Sequence, residues 1–454
     1  MKFEKNNKVE KISDTIMSGL ALCIIYMGIS GALECQHVLI CIISMVVGGL
    51  IGELIDIDKG LNSLGDKIEE KLNKGGLTFY IGTDPTADSL HVGHLSSFLI
   101  SKRLKEAGHH PILLVGGGTG MIGDPRPTTE RAMISKEQVR HNFECLKKQV
   151  EDIFGFEVVN NNDWYQDINV IDFLRDYGKY FNVNYMLDKD IIRRRLESGI
   201  TYTEFSYMIL QALDFKHLHE CNGVDLQCAG SDQWGNITAG IDLIRKSTGD
   251  EVYGFTMPLV TDSQGKKFGK SEGNALWLDK TKTSSYKLYQ FFVNVEDSMV
   301  IDYLKIYTFL SKEEIEEYAK KNAEHPELRE AHKALAREII TFLHGKEEYE
   351  RAEKLAQSLF NNEFKNLTKQ DIADLFDEQD MKNVESNIGI VDMVVNVGAA
   401  SSKREAREFI SSGAVSINGE KITDNTITIS DDMFIDNTYI IIKRGKKNYY
   451  IGRK

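Results

Sequence analysis

The chain has 454 residues, 42% hydrophobic and 27% charged, and 68 Asp and Glu against 55 Lys and Arg give a formal net charge of −13. That length suits two or three folded domains, and the acidic balance excludes a protein that holds nucleic acid through its overall charge. Six cysteines, at 23, 35, 41, 145, 221 and 228, form no CxxC pair or disulfide framework, which predicts reduced thiols.

The first 75 residues are unlike the rest. Thr15–Leu33 runs nineteen residues without a charge, and Val38–Gly52 another fifteen before Glu53. The first run is long enough for a membrane span and the second is borderline, so residues 1–75 read as an apolar helical hairpin with spans at 15–33 and 38–55. Lys2, Lys5, Lys8 and Lys11 precede the first run, whereas the ECQH loop carries no Lys or Arg. Both ends of the hairpin are therefore expected in the cytoplasm. A second apolar run directly after the first argues against a signal peptide.

A short apolar strand, Leu77–Gly82, is broken at Asp84 and Pro85, and Asp88 or Ser89 is expected to cap a helix starting at Leu90. His91 and His94 then share one face of its first turn, where unpaired backbone N–H groups and the helix dipole favour an anion. Two imidazole donors there suit a polyphosphate. Gly93 between them lets a flat base approach the backbone. A zinc reading is weaker, because the histidines are three apart without a carboxylate or thiolate beside them.

Downstream, Thr201 and Glu204 have capping-box spacing, and the helix they open carries Tyr207, Gln211 and Asp214 along one face among apolar neighbours. Buried polar groups need partners, and a ligand can supply them. The glycines at 265 and 269 predict a mobile loop, and its lysines, Lys267 and Lys270, read on their own as a solvated turn. Residues 285–360 have helical periodicity and read as a helical domain, while 361–390 is polar and weakly periodic, as in a linker. From 391 to 454, ten basic and eight acidic residues give a balance of +2, and the last twelve residues hold six basic and no acidic ones. An acidic body with a basic tail suits an RNA engaged at one end.

The segment DPTADSLHVGH (84–94) resembles the signature of class I aminoacyl-tRNA synthetases in the form carried by the tyrosyl family. Further matches follow in order: VGGGTGMIGDP (115–125), TYTEFSYMILQALDF (201–215), AGSDQWGN (229–236) and KKFGKSE (266–272). The similarity runs from about Leu77 to the C-terminus. VGAASSKREAREFISSGAVSINGEKI, near the end, resembles an S4 RNA-binding domain with its basic helix at Ser402–Ile410. Residues 1–75 resemble, less specifically, a fragment of an uncharacterised bacterial integral membrane family.

The resemblance implies a Rossmann-like parallel α/β catalytic domain over 76–284, the helical domain over 285–360, the linker over 361–390, an S4 α+β domain over 391–454 and a homodimer. It implies that Tyr207, Gln211 and Asp124 hold the ammonium of L-tyrosine, that Tyr80 and Asp214 bond its phenolic OH, and that Gln233 also contacts it. Rejecting phenylalanine then rests on buried polar groups left unpaired when the OH is missing, an effect for which tyrosyl enzymes are themselves the standard example. Gly82, Asp84, Gly93, Asp232, Lys270, Ser271 and Arg131 are the implied ATP contacts, and His91, His94, Thr86, Lys267 and Lys270 the catalytic set. ATP is expected with Mg²⁺ as a substrate complex, with no dedicated protein metal site. Lys403, Arg404 and Arg407 are the expected contacts to tRNA(Tyr). Thr83 stands where the family often has an aromatic residue.

The sequence thus predicts a cytoplasmic tyrosine:tRNA ligase, tethered to a membrane if the hairpin inserts. The alternatives are an impaired or fused remnant acting only in RNA binding, which the unusual N-terminus favours and intact HVGH and KFGKS disfavour, and the tryptophanyl enzyme, which has no need of Tyr80 and Asp214 together.

Overall fold

The computed structural model describes residues 61–125, 134–196, 199–266, 268–271, 274–376, 378–445 and 448–454. The expected spans at 15–33 and 38–55 lie outside the described residues. Among the described residues no helix is long and apolar enough to cross a membrane.

The chain divides into two compact units, the first reaching Leu278 and taking back 305–316, the second formed by 279–304 and 317–454. The first is built on a five-stranded parallel sheet of order β3-β2-β1-β4-β5, with β1 Thr78–Thr83, β2 His110–Val115, β3 Glu157–Asn160, β4 Leu226–Gly230 and β5 Tyr253–Met257. β1 and β2 carry apolar runs rather than alternation because helices cover both faces of a parallel sheet. Phe79, Leu113 and Leu226 are completely buried. The order reverses direction between β1 and β4, and at such a switch point a crevice opens beyond the carboxyl ends of the strands.

Helix α1, Leu61–Lys74, corrects the expected extent of the apolar hairpin. It belongs to this unit, laying Ile68 and Leu72 on the core of the sheet. Lys67 pairs with Glu251 at 3.0 Å and Lys71 with Asp225 at 3.1 Å. His109 joins the Leu72 carbonyl to the Leu77 N–H. α1 thus backs the face of the sheet that carries Phe79.

α2 spans Val92–Glu106, a turn-half later than expected, and α3 spans Lys136–Phe154. Phe98 of α2 meets Phe154 of α3 at 5.1 Å between ring centroids. α4, Tyr202–Asn222, and α5, Trp234–Ser247, pack on each other. Thr201 caps α4 by accepting from the Glu204 N–H, but the reciprocal half of the expected capping box is replaced: the Glu204 carboxylate takes Arg195 at 2.9 and 3.1 Å. Both side chains are buried, so the acid takes the stronger, charged donor.

In the second unit, Ser285–Val293 packs against Glu330–His344 and Lys346–Asn361. The expected linker needs correction. Within 361–390, Phe364 and Ile372 are completely buried, Lys369–Leu375 is a helix, and Lys382–Asn383 adds a parallel strand to the C-terminal sheet. Arg351 bonds Asp371 and Asp374, so polar composition here reflects ion pairing rather than free chain. The C-terminal part is α+β, with helices Ile390–Asn396 and Lys403–Ser411 enclosing a core against a five-stranded sheet.

Candidate active site

At the switch point β1 supplies Tyr80, Gly82 and Thr83, Asp84 follows it, and β4 contributes Gln227 and Ala229. Together with Leu114 of β2 and residues of α4 they line a cavity of about 280 Å³. Of the residues predicted to form a site, Tyr80, Gly82, Asp84, Thr86, His94, Asp124, Tyr207, Gln211, Asp214, Asp232 and Gln233 all line it.

Its inner end is a carboxylate held by three donors. Asp214 accepts from Trp164 Nε1 at 3.0 Å and Tyr165 Oη at 2.6 Å on one oxygen, and from Asn161 Nδ2 at 3.0 Å on the other. Burial pushes its carboxyl up to about 7 against the pull of those donors. Tyr80, 1% exposed, aims a hydroxyl that has no hydrogen-bond partner into the same space, and buried Gln227 has its Oε1 in that state too. Unmatched buried polar atoms beside a cavity call for a ligand that bonds them.

The opposite wall carries two more acids. Asp84 accepts from Thr119 Oγ1 at 2.8 Å and Tyr207 Oη at 3.0 Å. Asp124 accepts from Gln233 Nε2 at 2.9 Å and Asn236 Nδ2 at 3.3 Å, and Asn236 also reaches Gln211 Oε1 at 2.9 Å. Tyr207, Gln211 and Asp124, expected together, line the same cavity, with Tyr207 bonded to Asp84 and Gln211 joined to Asp124 through Asn236. A β-carbon at Gly116 would lie 2.2 Å from Thr119 Oγ1 and 2.3 Å from Asp84 Oδ1, which explains the glycine that opens VGGGTG.

The outer end is the start of α2. His91, rather than Asp88 or Ser89, is the N-cap: its Nδ1 accepts from the Gly93 N–H at 3.0 Å, and His94 Nδ1 accepts from the His91 N–H at 3.3 Å. Ser89 instead bonds the Leu90 carbonyl and Gln149. With each Nδ1 engaged as an acceptor, each Nε2 carries the proton. Burial, reinforced by His91, lowers the pKa of His94 to about 3, so its ring is a neutral donor on the cavity.

The loop that continues KFGKS lies on this helix start. Phe268 is buried and its carbonyl would sit 3.5 Å from a β-carbon at Gly93, while Leu276 accepts from the Val92 N–H at 2.8 Å. Lys267 and Arg131 lie outside the described residues. Lys270 and Ser271 form a two-residue strand against Asn274–Ala275. In the second unit, Lys403, Arg404 and Arg407 are exposed on the helix Lys403–Ser411, and Lys403 pairs with Asp392 at 2.5 Å.

Residues 72–361 match the family of class I tRNA synthetases (W and Y). Curated relatives named tyrosine–tRNA ligase include one from Staphylococcus carnosus (strain TM300), 49% identical over 85% of this chain and 94% of its own length. Another, from Leuconostoc citreum (strain KM20), is 47% identical over 87% of this chain and 97% of its own length. The chain belongs to the tyrosine–tRNA ligase family.

A tyrosine–tRNA ligase-like C-terminal domain matches residues 371–451. The crystal structure of a C-terminally truncated mitochondrial tyrosyl-tRNA synthetase from Aspergillus nidulans, 31% identical, covers 66% of this chain and 89% of that one with a TM-score of 0.58. Residues 3–99 match a different family, described as a protein of unknown function (DUF554), which overlaps the synthetase match at 72–99.

Several residues of this tyrosine–tRNA ligase site escaped sequence reasoning. Asn161, Trp164 and Tyr165 follow β3 and reach Asp214 only through the sheet. Thr119 and Asn236 lie inside recognised motifs but had no assigned part. Gln227 carried a usable signal, a lone amide in an apolar strand.

Proposed function

We propose that this chain activates L-tyrosine with ATP and transfers the tyrosyl group to tRNA(Tyr). The observation that carries the reading is the pairing of Tyr80 Oη, buried without a partner, with the Asp214 carboxylate in one cavity. A phenol entering there donates to Asp214 and accepts from Tyr80, and phenylalanine leaves both unmatched. Tyr207, Gln211 and Asp124 hold the ammonium, with Gln233 as a further amide contact, and Asp84, bonded to Tyr207, adds to the negative field there.

The tyrosine carboxylate attacks the α-phosphorus of ATP, the bond to the β-phosphate oxygen breaks, and pyrophosphate leaves. No general base is required because the nucleophile is already ionised. Catalysis is positioning and stabilisation of phosphate charge. The Nε2–H groups of His91 and His94, Lys267 and Lys270, with Thr86 and Arg131, donate to the phosphates, and Mg²⁺ enters with ATP. Gly82, Gly93, Asp232 and Ser271 accompany the nucleotide. A hydroxyl of the tRNA's terminal adenosine then attacks the tyrosyl carbonyl and AMP leaves.

The C-terminal α+β part, read as an S4 domain, supplies Lys403, Arg404 and Arg407 to the RNA backbone. Among the described residues, seven large apolar side chains stand exposed between 170 and 202, including Val170, Ile171, Leu174 and Tyr202. Such exposure supports a homodimer. We place the reaction in the cytoplasm, where its substrates are.

The test is tyrosine-dependent ATP–pyrophosphate exchange by the full chain. Exchange with tyrosine, absent with tryptophan and reduced at least a hundredfold in His94→Asn, is expected. Exchange driven by tryptophan, or by no amino acid from folded protein, overturns the reading.

A further inference from the structure

Asp214 is oriented by Trp164, and Trp164 is itself held by a residue without a part so far. His217 lies one helical turn after Asp214 on α4, and its imidazole stacks on the indole with centroids 4.3 Å apart and planes 16° from parallel. The indole N–H donates to Asp214 Oδ1 at 3.0 Å. Both rings are only partly buried, so the stack forms the outer support of an otherwise internal network. Tyr165 already bonds the same Oδ1 at 2.6 Å, so the direction of the indole decides how that oxygen is shared, while Asn161 holds the second oxygen at 3.0 Å.

We infer that His217 is a positioning residue for amino-acid selection: by stacking on Trp164 it fixes the N–H that orients Asp214 toward a phenolic hydroxyl. Partial burial lowers its pKa, with Glu220 opposing. Cys221 Sγ, 3.9 Å from Nδ1, borders its far edge. The inference rests on the tyrosine reading of the cavity.

The experiment compares the full chain with His217→Ala and His217→Phe in pyrophosphate exchange, with near-ultraviolet circular dichroism of each. His217→Ala is expected to raise the KM for tyrosine roughly three- to tenfold, the worth of one aromatic stack. The preference for tyrosine over phenylalanine falls by a similar factor, and the KM for ATP stays in place. The tryptophan dichroism weakens, and His217→Phe restores all of these. Equal changes in both KM values, or a lowered melting temperature with an unmoved tyrosine KM, would mean a purely structural residue and overturn the inference. No tyrosine-dependent exchange from the unaltered chain overturns the functional reading as well.

Discussion

His91 and His94 stack their imidazoles 3.8 Å apart and 22° from parallel while each accepts a backbone N–H at the start of α2. Two cations could not share that spacing, and the site avoids the conflict by keeping His94 neutral. Each ring is left with its Nε2–H as the remaining donor.

That neutrality has a cost below neutral pH. In the unfolded chain His94 takes a proton near its ordinary 6.5, while in the fold it waits until about 3. The unfolded state therefore binds more protons between those values. Stability from this residue is complete above pH 6.5 and is lost as pH falls, by up to about 1.4 kcal/mol per unit. Urea midpoints from pH 7 to 5 should fall less steeply in His94→Asn than in the unaltered chain. Parallel slopes would refute the assignment.

Asp214 has the opposite sense, its folded pKa of about 7 lying above the ordinary carboxylate range. If, as proposed, its ionised form accepts from the phenol of tyrosine, kcat/KM for tyrosine should fall as pH drops from 8 to 6, while kcat/KM for phenylalanine moves little. Tyr80→Phe, which removes a hydroxyl that meets no protein partner, should leave the fold intact. It should reduce the tyrosine-over-phenylalanine preference about tenfold, or ~1.4 kcal/mol. Pyrophosphate exchange with each amino acid decides both points.

What the sequence disclosed about this site follows distance along the chain. The strand, turn and HVGH helix are contiguous, so composition and spacing located them to within two residues. His91 as its own N-cap was not legible, because imidazole is not among the usual caps and the role depends on a rotamer. Asp214 was legible on α4, but its donors come from Asn161 to Tyr165, about fifty residues upstream, and only the β3-β2-β1-β4 order makes them neighbours. The polar stretch 361–390 misled because Arg351 and the Asp371 and Asp374 carboxylates satisfy each other.

Gly93 and Gly269 face each other where the two signature motifs meet. A β-carbon at Gly93 would lie 2.8 Å from His91 Cε1, and one at Gly269, where φ is +86°, would lie 2.7 Å from the Gly93 nitrogen. Alanine at either position forces the imidazole out of the cap or the loop off the helix. Exchange kcat should drop roughly 10- to 100-fold in each variant, since misplacement by an ångström costs that much. Tyrosine affinity, measured by equilibrium dialysis, should be unchanged, because the tyrosine end of the cavity touches neither glycine. Lost tyrosine binding would show instead that the whole unit had rearranged.

Arg195 and Glu204 form the ion pair on which the start of α4 rests, their side chains 5% and 2% exposed. A buried pair adds little over well-packed apolar residues, but removing one member strands the other's charge. Arg195→Met should therefore destabilise the catalytic unit by about 3–5 kcal/mol, and Arg195→Met with Glu204→Leu should recover most of that. Denaturant midpoints of the two variants measure the difference. Because α4 also presents Tyr207, Gln211 and Asp214, the single variant should lose tyrosine binding at temperatures where the double variant keeps it. Equal behaviour of the two would mean that the charge on Glu204 is relieved by solvent rather than by Arg195.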